Sequence, residues 1–169
     1  MEREEAIHMF AQRRRSNTGF SLIELLVVVA VILIIAAIAI PNYIQSKLRA
    51  NESSAVQSLR NLTTAELVYS TTYGVDFTPS LSQLSGTGVN PDVNNAGLID
   101  EVLAGGTKQG YIFTYTPLTV DAAGNTATYS ITADPITPGT TGQRHFYTDQ
   151  SCVIRSNVTV QAGPSDLPL

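Results

Sequence analysis

Cysteine, tryptophan and histidine are almost missing from this chain. Of its 169 residues one is Cys, none is Trp and two are His. A lone Cys152 cannot close a disulfide within the chain, and we read it as a small buried hydrophobe rather than a reactive thiol. No H-E-x-x-H, C-x-x-C, Walker lysine loop or G-x-S-x-G elbow occurs, so the standard metal, redox, nucleotide and hydrolase sites are excluded. A Ser-His-Asp triad can be drawn on paper around His145, as in almost any chain; a strand or surface residue is the plainer reading. Charge is scarce as well, at 14% of residues with a net of −4. Beyond residue 19 nothing suggests a nucleic-acid footprint, which is basic and clustered.

What the chain does have is one long greasy stretch. Residues 25–40 are an unbroken apolar run, and extended back to Phe20 it counts 21 residues with Glu24 as the only ionisable side chain. As a helix this run reaches roughly 31 Å, the thickness of a bilayer's hydrocarbon core. No polar face interrupts it, so it is not the surface helix of a globular core. The pattern predicts a membrane-spanning helix with an acid about one turn inside its end. Glu24 disfavours insertion; it either snorkels to the headgroups or has a function.

The flanks of the run favour function. Arg13, Arg14 and Arg15 precede it, and Gly19 stands directly before Phe20. Gly19-Phe20-Ser21-Leu22-Ile23-Glu24-Leu25 resembles the class III signal of type IV pilins and type II secretion pseudopilins. The resemblance is close over residues 13–73 and looser beyond. It implies that a membrane peptidase cuts between Gly19 and Phe20 and that Phe20 is then N-methylated. Phe20 and Glu24 are the implied assembly residues, and the family's helix-kinking proline falls on Pro41.

Residues 1–19 are then a leader, outside the fold. Its four arginines stay cytoplasmic by the positive-inside rule, sending the rest of the chain across the membrane. Without the leader the balance is six cations to eleven acids. Two rival readings exist: a secretory signal cut after Ala39 at the small-residue match Ala37-Ile38-Ala39, and an uncut signal anchor. Sequencing the N-terminus separates the three.

Past Pro41 the helical pattern continues but becomes one-sided. Leu48, Ala55, Leu59, Leu62, Ala65 and Tyr69 recur at helical spacing with Arg49, Gln57, Arg60 and Asn61 between them. Nothing breaks the helix before Gly74, so residues 20–73 are expected to be helical, with a kink where Pro41 lacks its N–H. Tyr43, Tyr69 and Tyr73 share this helix; core packing, or for Tyr43 a place at the membrane interface, is the reading we take over electron conduction.

Residues 74–109 form a connector, the αβ-loop of the resembling family, with helical turns expected at 79–84 and 98–103. Strand patterns follow at 111–116, where Pro117 makes the end of the strand an edge or a stop, and at 126–133 beyond a turn at 121–125. After a loop at 135–142, a second hairpin is expected from 144–148 and 152–155, then a short strand at 157–162 and a fraying tail. The fold class is therefore α+β. A long N-terminal helix, transmembrane in its first half (20–41) and amphipathic in its second (42–73), packs on a small antiparallel sheet within 110–169.

The resemblance implies a structural subunit and not an enzyme. Its partners are copies of itself in a helical filament, the prepilin peptidase and methyltransferase, an inner-membrane assembly platform, and lipid before assembly; no specific nucleic acid is expected. It implies single-pass residence in a bacterial inner membrane, then a surface pilus or a periplasmic pseudopilus. Some pseudopilins brace the head with calcium. Asp121, Asp134, Asp149 and Asp166 are the acids available here, but without EF-hand spacing, so turn and solubility roles are assigned to them and no cofactor is expected. The rival of another class is a membrane-tethered binding or enzymatic domain that never polymerises.

Overall fold

A computed structural model describes residues 19–86, 90–122 and 124–169. The leader arginines and Ala123 of the 121–125 turn lie outside them. The chain divides into two compact units, Met1–Ile40 and Pro41–Leu169. One helix, α1 (Leu22–Tyr73), contributes to both.

Among the described residues of the first unit, nothing packs along the helix. Its side chains from Leu22 to Ile40 are exposed, apart from a half-buried Ala36. By length and composition α1 is able to cross a membrane. Phe20 and Ser21 precede the helix instead of belonging to it. The carbonyl of Ser21 accepts the Leu25 N–H at 3.2 Å, which makes Ser21 the residue at which the helix is capped.

In the second unit the apolar stripe is buried. Ala55, Leu59, Leu62, Ala65 and Tyr69 join one core, while Arg49, Gln57, Arg60 and Asn61 face outward. Leu48 is only half-buried. Gly74 ends α1 in the left-handed conformation at φ 64°, its N–H donating to the Ser70 carbonyl.

The connector holds two short helices, α2 (Leu81–Leu84) and α3 (Glu101–Ala104). Asp100 caps α3, its side chain accepting the Leu103 N–H at 2.9 Å, so this turn starts later than the spacing at 98–103 implied. Leu81, Leu84 and Leu103 enter the same core.

Among the described residues the sheet has five strands in the order β1-β2-β3-β4-β5, each antiparallel to its neighbour. They are β1 (Thr107–Lys108), β2 (Tyr111–Val120), β3 (Thr126–Pro135), β4 (His145–Asp149) and β5 (Arg155–Asn157). Pairing sets Phe113 opposite Ala133 and Ala133 opposite Phe146, so all three reach one face. With Tyr111, Tyr129 and Ile131 they meet the buried stripe of α1. The architecture is α+β.

Five details differ from the strand pattern. The two residues of β1 pair with β2 although they lie in the connector. Of the two readings of Pro117 the structure has the edge and not the stop: β1 pairs with β2 only at Tyr111 and Ile112, and beyond an irregularity between Pro117 and Thr119 the strand runs to Val120. The last strand is Arg155–Asn157, not 152–155 or 157–162. Asn157 Oδ1 accepts the N–H groups of Thr159 and Val160 and so turns the chain there. The tail does not fray: Ser156 N–H donates to Leu167, and Leu169 N–H to Ile154. Finally, Cys152 is exposed, with φ 59° in a tight turn whose N–H reaches the Asp149 carbonyl. That turn points the thiol away from the sheet instead of into it.

Candidate functional site

The N-terminal stretch combines an accessible junction with an uncovered apolar surface. Phe20 is 83% exposed, and a Cβ added at Gly19 would meet nothing within 4 Å. Glu24 lies in the first turn of α1, where the unpaired N–H groups favour negative charge. It is exposed and has no partner among the described residues. Around it Leu22, Ile23, Leu25 and Leu26 are each more than 60% exposed. Contiguous apolar surface on this scale marks a membrane or protein contact.

Two acids of the second unit escaped the sequence pattern. Glu52 and Glu66 lie on the buried side of α1, at 6% and 0% exposure. Glu52 Oε1 accepts the N–H groups of Gln143 and Arg144 at 3.0 and 3.2 Å, and Oε2 accepts Arg144 Nε at 2.9 Å. Burial pushes its carboxyl up, but the donors from Gln143 and Arg144 prevail and hold it below the ordinary glutamate range. Glu66 Oε1 accepts the Thr78 hydroxyl at 2.6 Å and Oε2 accepts the Thr78 N–H at 3.0 Å. Here burial prevails over the Thr78 bonds and the carboxyl is raised. Each acid fastens a loop to the helix: Glu52 the β3–β4 loop, Glu66 the start of the connector. The available signal was an acid inside an apolar stripe, three residues before Ala55 and four after Leu62.

Comparison with known proteins bears on the first stretch. Residues 14–40 match the family model described as the prokaryotic N-terminal methylation motif. A type IV major pilin protein, PilA, of Myxococcus xanthus is 54% identical over 50 residues, 30% of this chain and 23% of that protein. Over its N-terminal segment the chain is similar to type IV pilins. A type IV wide pilus major component, PilA4, of Thermus thermophilus is 40% identical over 55 residues, 32% of this chain and 42% of that protein. The chain spans under half the length of both relatives. No solved structure matches it.

The sheet unit does not gather the four aspartates weighed for calcium. Asp134 bonds His145 Nδ1 at 2.6 Å and Gln161, Asp149 bonds Ser151, and Asp166 bonds Asn157 and the Gly163 N–H. Asp121 accepts from Asn125 in the β2–β3 turn. Among the described residues no three Asp, Glu, His or Cys side chains cluster as a metal site. His145 is a half-buried residue of β4.

Proposed function

We propose that this chain is a pilin, the structural subunit of a type IV pilus. Processing cuts between Gly19 and Phe20, N-methylates Phe20, and leaves Glu24 near the new amino terminus. The prepilin peptidase and methyltransferase and an inner-membrane assembly platform are the partners this requires. One observation carries the reading: an apolar helix surface that nothing described in the chain covers, beginning at a methylation motif and holding a single acid.

The physical sequence of events follows from that surface. Before assembly, lipid covers residues 20–40 in a single-pass inner-membrane arrangement with the leader in the cytoplasm. On extraction, the same segments of neighbouring copies cover one another, and a helical filament forms. A smooth Val/Ile/Ala surface slides, so packing alone gives little register. The α-amine freed at Phe20 pairs with Glu24 of another copy and supplies it. Two unit charges ~4 Å apart attract by about 4 kcal/mol at an effective dielectric near 20. Desolvation offsets much of this, so the pair sets register more than it adds strength. Methylation of the amine keeps its charge. Pro41, lacking an N–H for the Ala37 carbonyl, is the proposed kink between the two halves of α1.

The pilus is favoured over the type II secretion pseudopilus because both matched relatives are pilus components by name. The test is electron microscopy of sheared surface material probed for this chain, with sequencing of its N-terminus. Surface filaments of a chain beginning at Phe20 support the reading. A correctly trimmed chain found only as isolated monomers in the envelope overturns it.

A further inference from the structure

Charged side chains of the second unit are sorted. Close to the sheet they are matched within the chain: Arg144 with Glu52, Lys108 with Asp100, His145 with Asp134, and Arg155 with the Asp166 carbonyl. Lys47, Arg49 and Arg60 are exposed on α1 and have no partner among the described residues. Asp76 and Glu101, both exposed in the connector, are equally without one. Unpaired cations thus collect on the helix and unpaired acids on the connector.

Arg49 and Arg60 are eleven residues apart, about three turns, so they lie on one stripe of α1 roughly 16 Å apart. Leu67 continues that stripe two turns on and is 57% exposed, with Val68 beside it at 39%. Next to them a groove between α1 and α3 is lined by Asn61, Thr64, Val68, Leu98 and Ile99 and runs to Asp100, the neighbour of Glu101. Arginine is among the residues enriched at protein interfaces, and Leu67 and Val68 set exposed apolar area beside it.

We propose that the Arg49–Arg60–Leu67 stripe of one subunit receives Asp76 and Glu101 of a second copy. This rests on the polymer reading above and adds a head-level determinant of register to it. Charges of opposite sign, separated on one chain and unpaired there, are satisfied between chains. The same sorting sets like charges together in wrong registers and disfavours them.

Charge reversal in the full-length, processed pilin tests this. Arg49→Glu with Arg60→Glu, and separately Asp76→Lys with Glu101→Lys, should each leave trimming at Phe20 and the far-ultraviolet circular dichroism unchanged. Filament yield should fall at least about tenfold in each. Combining all four reversals should restore it. Wild-type yield from either reversed pair, or no recovery in the combined protein, overturns the proposal. An anionic lipid surface is the competing occupant. If Arg49→Glu with Arg60→Glu weakens binding to phosphatidylglycerol vesicles while filaments stay at wild-type yield, the stripe is a lipid contact and the proposal is overturned. Absence of filaments from the wild-type chain would be a different result, removing the polymer reading itself.

Discussion

Glu52 and Glu66 lie fourteen residues apart on one buried side of α1, and their carboxyls are shifted in opposite directions. Burial acts on both. At Glu52 it is outweighed by two backbone N–H groups and the Arg144 side chain; at Glu66 the bonds from Thr78, with a smaller one from Tyr115, do not outweigh it. The two acids therefore give the head opposite responses to pH.

For Glu52 the folded carboxyl lies below its unfolded value of 4.5. Its contribution to stability is present above that value and is lost as pH falls through the lower, folded one. Thermal unfolding of the detergent-solubilised chain between about pH 7 and about pH 3 should show an acid limb that Glu52→Gln flattens. Glu52→Ala should cost about 1–3 kcal/mol at neutral pH, since Gln143 and Arg144 keep buried donors without an acceptor.

Glu66 behaves in the reverse sense. Its folded value is raised above 4.5, so its contribution is present at low pH and is lost as pH rises through the folded value. Glu66→Gln keeps the shape and an acceptor for the Thr78 N–H without burying a charge. It should be at least as stable as wild type at neutral pH. Glu66→Ala should lose about 1–3 kcal/mol by orphaning Thr78. Denaturant titration of the three proteins at one pH separates the charge effect from the hydrogen-bond effect.

Gly142 permits a close approach. A Cβ there would collide with the ring and hydroxyl of Tyr111, which is fully buried and donates to the Arg144 carbonyl at 2.9 Å. Gly142→Ala should destabilise the head by about 1–3 kcal/mol through overpacking. The check is a thermal melt against Gly139→Ala, which meets open space but carries its own left-handed φ of 79°.

The exposed thiol of Cys152 should be labelled fully by a maleimide without denaturant. Cys152→Gly should raise stability by about 1 kcal/mol, because a β-carbon is strained in the left-handed conformation this turn imposes.

Glu24→Val should insert in the membrane at least as well as wild type, since it removes the only charge of the apolar run. Filament formation should nevertheless fail, because no acid remains for the Phe20 amine. Normal filaments from this variant, seen by microscopy of sheared material, would refute the pairing.

Local pattern alone determined the match to the N-terminal methylation motif, the length of the apolar helix and the buried stripe Ala55–Leu59–Leu62–Ala65–Tyr69. Those features rest on residues a few positions apart, whose spacing the helix converts directly into a face. Tertiary structure decided the rest. Glu52 and Glu66 became buried because Arg144 and Thr78 arrive from distant loops, and no spacing announces such donors. Pro117 stayed within β2 because β3 held the ladder on either side of it. Residues 167 and 169 were tied to β5 by backbone hydrogen bonds, which any sequence can make and none advertises. Cys152 faces solvent because the Asp149 turn aims it there, although its chemistry alone favours the core.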